Sequence, residues 1–358
     1  YDMAERITIQ DIADELGVSR NTVSKAINNT GLLAESTRQK VLKKAIEMGY
    51  KQFSYVNISH FEKSEPAAAD RSSRMEISLF TSNFIGNSHF ASTMLDKFQR
   101  ELSTLGYSFT MHRLQDTEIK NLRMPAAYNK EKTAGIMCIE MFDLAYCSML
   151  CGLDIPLLLV DSPVTGLDKP LGADRLIMDN QSNIHVFVKE MVRRGKTRIG
   201  FIGKATHCQS FFERYIGYRN AMYLSGLPCP DEYCITGDNP VQKTFEGSAY
   251  PDYLMEQLRN LDTLPDVFIC ANDFIAIDTL QVFKKLGISV PGDVYLCGFD
   301  DSPESRIMSP TLTTIHIHSQ IMGFSAVNLL MSRIKEPSLN FRTVHTETRL
   351  IYRESTED

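Results

Sequence analysis

The sequence predicts an α/β protein. A short helix-turn-helix unit comes first, and a large core of parallel, doubly wound sheets follows it. Three observations carry this prediction. Between Thr8 and Gly49, apolar residues recur at helical spacing and are interrupted by capping and turn residues. From Glu76 onward, short apolar runs of strand length alternate with helical patterns. The 358 residues exceed one small core and suit two or three compact units of about 100–200 residues each.

In the first unit, Thr8 can cap a helix and Asp11 sits three residues later, as in a capping box. Ile9, Ile12, Ala13 and Leu16 follow at helical spacing, and Gly17 breaks the run. Ser19 is a second N-cap, with Val23, Ala26 and Ile27 sharing one face of the helix it opens. Asn28 to Gly31 is turn chemistry. Glu35 or Ser36 begins a third helix carrying Val41, Leu42, Ala45 and Ile46, and Gly49 ends it. With the apolar residues turned inward, Arg20, Asn21, Ser24 and Lys25 are left outside on the second helix. Arg and Asn can read guanine and adenine edges bidentately. Ser19, Thr22, Ser24 and Lys25 can hold phosphates. The bland alternative is a helical hairpin with a solvated polar face.

Charge favours the sharper reading. The chain as a whole carries a formal charge of −6, which disfavours nonspecific coating of nucleic acid. From Ser19 to Lys51, however, the bases are Arg20, Lys25, Arg38, Lys40, Lys43, Lys44 and Lys51, against only Glu35 and Glu47. A basic patch on an acidic protein points to one surface meant for phosphate.

The core reads as strands at Ile77–Phe80, Tyr107–Met111, Gly135–Ile139, Pro156–Val160, Arg198–Ile202, Val267–Cys270 and Val294–Gly298, with helices between. Parallel sheets bind ligands beyond the C-terminal strand ends. Those ends carry Thr81 and Ser82, Glu140, Asp161, Asn272 and Asp273, and Asp300 and Asp301. Such polar residues also occur as caps and turns.

Composition excludes several other classes. The eight cysteines form no Cys-x-x-Cys pair, and with the eight histidines they give no zinc-ligand spacing, so buried free thiols and no metal are expected. No apolar run reaches the roughly 18 residues of a membrane span. The first residues carry acids and Arg6 rather than a basic and then apolar leader. A cytoplasmic protein with no membrane partner is expected. Gly195-Lys196-Thr197 resembles the end of a phosphate loop, but Glu190 stands where that loop needs glycine. No Gly-x-Ser-x-Gly elbow or dinucleotide fingerprint appears. No enzyme and no cofactor are expected.

The stretches Thr8 to Ser19, Thr22 to Asn28, Thr37-Arg38, Val41-Leu42 and Gly49-Tyr50 resemble the opening of LacI-type transcription regulators. Asp179-Asn180, Gly195 to Ile202, Glu213 to Tyr218, Ala271 to Ala276, Gly287 to Asp293, Gly298 to Asp301, Pro310 to Thr314 and Leu350 to Ser355 resemble the effector domains of the same family. The resemblance implies a two-lobed core of the periplasmic-binding-protein type with an effector in the interlobe cleft. It implies a head at 1–51, a hinge at 52–74 and a core at 75–358. Lobe one would take about 75–178 and 315–342, and lobe two about 179–314 and 343–358.

By the same resemblance the second helix enters the major groove of a pseudo-palindromic double-stranded DNA operator. Thr8, Ser19, Arg20, Asn21, Thr22, Ser24, Lys25, Asn28 and Thr37 are the expected DNA contacts, with Lys25 standing where Arg is usual. Ser82, His89, Phe90, Glu140, Asp161, Arg214, Asn272 and Asp300 are the expected effector contacts. The effector class is a small carbohydrate, with nucleosides second. A homodimer is expected, and no heptad segment for tetramers trails Ser355. The function implied is that of a repressor controlled by a small molecule. A transport-type binding protein would fit the core alone, and the head argues against it.

The linker departs from the family. In place of the usual Pro-Asn stand Gln52 and Phe53, Val56 takes the Ala position and Ser59 the Leu position. A serine cannot wedge between base pairs, and β-branched residues weaken a hinge helix. Glu62 to Arg74 then reads as a flexible tether. Operator DNA should therefore be kinked weakly. Circular-permutation bending assays check this, and a sharp central kink dependent on residue 59 would overturn it.

Overall fold

The computed structural model describes residues 8–28, 33–48, 76–82, 89–166, 168–237 and 249–357. The turn at 29–32, Gly49 and the linker 52–74 lie outside the described residues, as do the side chains of Asn28 and His89. The chain divides into two compact units, Tyr1–Ser72 and Ser73–Asp358.

The first unit holds α1 (Ile9–Leu16), α2 (Arg20–Asn28) and α3 (Glu35–Glu47). Thr8 and Asp11 form a reciprocal capping box. The Asp11 amide donates to Thr8 Oγ1 at 3.3 Å, and the Thr8 amide donates to Asp11 Oδ2 at 2.7 Å. Gly17 ends α1 in the left-handed region, at φ 64°, where a side chain would be strained. Ile12 and Ala13 of α1, Val23, Ala26 and Ile27 of α2, and Val41 and Ala45 of α3 close into one buried cluster. Fully burying each Ile or Val among them contributes about 1.5–3 kcal/mol. That is enough to make the three helices one unit.

The second unit opens with β1 (Glu76–Thr81), α4 (His89–Thr104), β2 (Ser108–Arg113), α5 (Asp116–Lys120), β3 (Thr133–Ile139), α6 (Leu144–Cys151), β4 (Leu157–Val160) and β5 (Asp174–Met178). It continues with α7 (Ser182–Arg193), β6 (Ile199–Ile202), α8 (Gln209–Leu224), β7 (Cys234–Ile235), α9 (Ala249–Arg259), β8 (Val267–Cys270), α10 (Asp273–Leu286), β9 (Tyr295–Cys297), α11 (Pro303–Ile307) and β10 (Thr314–Ile317). It closes with α12 (Ser319–Lys335), β11 (Thr343–Thr346) and β12 (Thr348–Ile351).

Six parallel strands form the first sheet, in the order β2-β1-β3-β4-β5-β11. The second sheet runs β7-β6-β8-β9, also parallel. Single bridges from Cys297 to Thr313 and from Asp300 to His316 extend it to β10, which pairs antiparallel with β12. Each lobe thus repeats one doubly wound order, 2-1-3-4-5, whose switch point lies at the C-terminal strand ends. The α/β class with parallel sheets predicted from the sequence is the one observed.

The chain passes between the lobes after β5, after β10 and between β11 and β12. Two expected lobe assignments need correcting. Thr343–Thr346, expected in lobe two, pairs in register with Arg175–Met178 and so completes the first sheet. Ile315–Ile317, expected to open the return to lobe one, pairs with Thr348–Leu350 on the lobe-two side. Both errors have one cause: the crossovers fall inside continuous β-rich sequence, where periodicity gives no sign of which sheet a strand joins.

Helix α12 returns to lobe one and packs closely on α4. Gly323 permits that approach, because a Cβ there would lie 2.5 Å from the Met94 carbonyl oxygen. All eight cysteines are free thiols, most of them buried. Among the described residues no helix is long and apolar enough to cross a membrane.

One buried ionic cluster fixes the far end of lobe one. Asp174 opens β5 and is fully buried. It accepts two bonds at 3.0 Å from the Arg333 guanidinium, one at 2.9 Å from Arg342 Nη2 and one at 2.8 Å from the Arg342 amide. Burial alone would raise this carboxyl, but the two arginines outweigh it and hold it below the usual carboxylate range. A carboxyl lowered on folding adds stability above its unfolded value, and that stability is lost as pH falls through the folded value. Arg333→Ala should therefore cost up to about 3–5 kcal/mol, because it leaves a fully buried carboxylate with only the partly exposed Arg342 to answer it. Denaturant unfolding of the core at neutral pH checks this, with the deficit shrinking in acid.

Candidate functional site

Two regions gather the residues expected to carry function. In the first unit, Ser19 Oγ caps α2 by accepting from the Thr22 amide at 3.0 Å, and the two hydroxyls share a 2.8 Å bond. This sets the helix start and leaves Arg20 and Asn21 exposed, with Thr22, Ser24 and Lys25 half-buried beside them. Val23, Ala26 and Ile27 hold the opposite face inside. Helix α2 carries no acidic residue, and the positive end of its dipole sits beside Arg20. Thr37 is half-buried in the first turn of α3. Thr8 differs from the rest: its hydroxyl lies 2.7 Å from Asp11 Oδ2 within the capping box. A phosphate contact there would compete with the helix cap.

The second region lies at the strand ends of the core. Arg214, on α8, is only 3% exposed. Its Nε donates to Asn180 Oδ1 at 2.9 Å and its Nη1 to the Ala271 carbonyl at 2.6 Å. Nη1 also lies 3.6 Å from Asp300 Oδ1, and the guanidinium carbon sits 3.5 Å over the Phe299 ring. Arg214 therefore joins the loops after β5, β8 and β9. Asn180 is held from its other side by Glu213, whose Oε2 accepts from Nδ2 at 2.9 Å.

Asp300 has a backbone φ of 112°, and Glu140, Asp161 and Asp301 also have positive φ. Non-glycine residues in that region are strained, and such strain concentrates at functional sites. Burial raises the Asp300 carboxyl to about 7. Arg214 opposes the rise, while Asp273, Glu140 and Asp161 add to it. The strand ends of the two lobes face each other. Contacts between the lobes agree. Asp161 Oδ1 accepts from the Ser210 amide at 3.1 Å, and the Gln209 amide donates to the Ser162 carbonyl at 2.8 Å. Asp161 is thus engaged in an interlobe clamp, and burial raises its carboxyl.

The other expected residues take varied places. Ser82 donates to the Glu140 carbonyl at 2.9 Å, joining the ends of β1 and β3. Phe90 packs against the main apolar core at the start of α4, so it does not stand free as a stacking face. Asn272 caps α10 by accepting from the Ile275 amide at 3.0 Å. That bond uses one lone pair of Oδ1, and Nδ2 makes no bond among the described residues. Asp273 is structural. It is fully buried, takes the Thr314 hydroxyl at 2.6 Å and the Ser302 amide at 2.7 Å, and is raised by burial to about 6. Gly298 must be glycine beside it, since a Cβ would fall 2.1 Å from Asp273 Oδ1.

Sequence reasoning missed an aromatic line across the lobes. Phe142, after β3, meets His207 edge-on at 5.1 Å. His207 in turn packs 5.1 Å from Phe211, whose ring lies 5.6 Å from the Arg214 guanidinium. Burial, with Lys204 adding to it, lowers His207 to about 4, so the ring is neutral at pH 7. The signal available was the spacing of His207, Phe211, Arg214 and Tyr215 around one helix start. Among the described residues no cluster of three or more His, Cys, Asp or Glu side chains is placed to hold a metal ion.

A helix-turn-helix head joined to a two-lobed core with ligand-type chemistry at facing strand ends defines a class: the effector-responsive DNA-binding regulators. The comparisons agree. Residues 8–52 match the lacI family of bacterial regulatory proteins, and residues 188–356 match the periplasmic binding protein-like domain. The chain is 28% identical over 355 residues to the HTH-type transcriptional repressor PurR of Actinobacillus pleuropneumoniae serotype 3 (strain JL03), covering 97% of this chain and 98% of that one. It is 28% identical over 357 residues to the HTH-type transcriptional regulator GalR of Lacticaseibacillus casei, covering 97% and 99%. Among solved structures, the transcriptional regulator CelR in complex with cellobiose superposes with a TM-score of 0.68 at 22% identity, over 98% of this chain and all of that one. The lac repressor dimer bound to operator and the anti-inducer ONPF gives 0.63 at 19%, over 98% and 99%. The chain thus carries a lacI-family DNA-binding domain and a periplasmic binding protein-like domain, and its relatives are LacI-type transcription regulators, not enzymes.

The site has a pH signature. Asp300 is raised on folding, so its ionisation costs stability as pH climbs from the ordinary carboxyl value near 4 through about 7. A ligand whose hydroxyls donate to Asp300 binds the ionised form. Its affinity should rise with pH up to about 7 and then level off, and Asp300→Asn should flatten the profile. Calorimetric titration across that range measures it.

Proposed function

We propose that this protein is a repressor that binds a pseudo-palindromic operator as a homodimer and is controlled by a small carbohydrate bound between its lobes. The observation that carries the ligand reading is the Arg214–Asp300 pair at 3.6 Å, set among Asn180, Asn272 and the rings of Phe211 and Phe299. Neighbouring sugar hydroxyls both donate and accept, and a guanidinium beside a carboxylate answers both. The half-buried Phe211 ring suits the apolar face of a sugar, while Phe299 supports the guanidinium from below. The structural neighbour CelR was solved with cellobiose, which agrees in class. The relatives named as repressors support the sign.

In this reading Arg20, Asn21 and Lys25 face the base edges. Ser19, Thr22 and Ser24 set the register on phosphate, together with Asn28 and Thr37. On the lobe-one side, the effector contacts in this reading are Ser82, His89, Phe90, Glu140 and Asp161. The ligand changes operator affinity only through its different affinity for two lobe arrangements.

A thermal-shift screen of mono- and disaccharides against nucleosides tests the class, since a bound ligand raises stability by mass action. Stabilisation by nucleosides alone, lost with Arg214→Ala, would overturn the carbohydrate reading. With a ligand in hand, Arg214→Ala should abolish its effect on operator affinity while fluorescence anisotropy still shows salt-dependent DNA binding. Loss of both in a variant that remains folded would count against the assignment.

A further inference from the structure

We infer a second small-molecule site in lobe one, at the end of the sheet away from the interlobe cleft, built for a nucleoside monophosphate. A recess of about 610 Å³ opens there, between the C-terminal end of α6 and the starts of β5 and β11. Strands β5 and β11 run parallel, so their first residues lie at the end opposite the effector-facing tips. The volume falls within the range of small-molecule sites.

The lining carries three cations, Lys169, Arg175 and Arg342, and no carboxylate. Arg342 is committed to Asp174, which lies fully buried behind the recess and shares its charge with Arg333. Lys169 is exposed and Arg175 half-buried, and among the described residues neither is paired with a carboxylate. Two uncommitted cations, backed by a cluster of one acid and two arginines, make a strongly positive hollow. A phosphate group answers it, because a guanidinium and an ammonium together supply fork and point-charge donors.

The same hollow has an aromatic wall. Phe341 is 59% exposed, although the Arg333 guanidinium packs over its ring at 4.9 Å. Gly172 lies against the ring: a Cβ there would stand 3.4 Å from it, closing the space between loop and ring. An exposed ring fixed in place by a buried arginine is a stacking platform for a planar base. Phosphate on Lys169 and Arg175, with a base on Phe341, is the pattern of a nucleoside monophosphate.

The site also has a route to the rest of the core. Arg342 and Thr343, both in its wall, lead straight into β11, and β11 leads into the crossover to lobe two at β12. A ligand that tightens the start of β11 acts on one of the chain's three passages between lobes.

The test is calorimetric titration of the full-length protein with AMP, with adenosine and inorganic phosphate as separate arms. AMP should bind more tightly than either part. Lys169→Gln combined with Arg175→Gln should weaken AMP at least tenfold. Phe341→Ala should weaken AMP and leave phosphate unchanged. Arg214→Ala, which disables the interlobe site, should leave AMP binding intact. No binding by the wild-type protein, binding indifferent to the Lys169/Arg175 double variant or to Phe341→Ala, or binding lost with Arg214→Ala would each overturn the inference. Circular dichroism of each variant separates loss of the site from loss of the fold.

Discussion

The core is organised around one buried cation. Taking a guanidinium out of water costs several kcal/mol unless its donors and its charge are answered. Arg214 answers its donors with Asn180 Oδ1 and the Ala271 carbonyl, and its flat face with the Phe299 ring. These partners come from three separate loops, so the position of Arg214 fixes all three at once. Its charge is answered less fully. Asp300 stands 3.6 Å away, and burial raises its carboxyl to about 7, so near neutrality it is only partly ionised. The site therefore holds an arginine whose donors are placed and whose counter-charge is unsettled. A ligand that bonds to both groups settles it, and that is a physical reason for a ligand to bind here rather than elsewhere in lobe two.

The lobes are tied together near the same point. Asp161 reaches from the end of β4 to the first turn of α8, the helix that carries Arg214. Phe142 meets His207 in the loop before that helix. Changes in the angle between the lobes must rework these contacts, so they belong to the two-state element that an effector would bias. Interfaces of this kind change between discrete packings rather than bending smoothly. The duplicated 2-1-3-4-5 order explains why the contacts gather here: both sheets present their switch points to the same gap.

Much of this was legible from the sequence, and the reason is locality. The capping box at Thr8 and Asp11, the stop at Gly17 and the cap at Ser19 each involve residues three or four apart, so spacing alone identifies them. Seven of the core strands, β1 to β4, β6, β8 and β9, are equally plain, because buried parallel strands are continuous apolar runs, whereas β5, β7 and β10 to β12 are short or lie at crossovers and are not. The polar C-terminal residues of those seven, Glu140, Asp161, Asn272 and Asp300 among them, follow directly. Nonlocal features were not legible. Asp174 and Arg333 lie 159 residues apart, and nothing in either neighbourhood marks the pair. The lobe membership of β10 and β11 depends on which sheet offers a free edge, a property of the assembled fold. Phe142 and His207 belong to different lobes, and only their packing reveals them.

The family resemblance reached furthest where local signals were weakest, since it singled out Arg214 in the middle of a helix. What it supplied was a position. The packing around that position explains the residue, and it also changes the roles of its neighbours. Asn272 spends its carbonyl oxygen on a helix cap, Asp161 spends its carboxylate on an interlobe clamp, and Thr8 spends its hydroxyl on the first turn of the head. Each was named as a ligand or DNA contact, and each already has structural work at the same atom. A side chain that holds a helix start or a lobe contact cannot turn freely toward a ligand, so ligand contact at these residues would have to come through their remaining atoms. Arg20, Asn21 and the Asp300 carboxyl carry no such prior commitment, and Arg214, fixed through Nε and Nη1, keeps Nη2 for a ligand. This difference ranks them above the others as the groups that distinguish one operator, or one effector, from another.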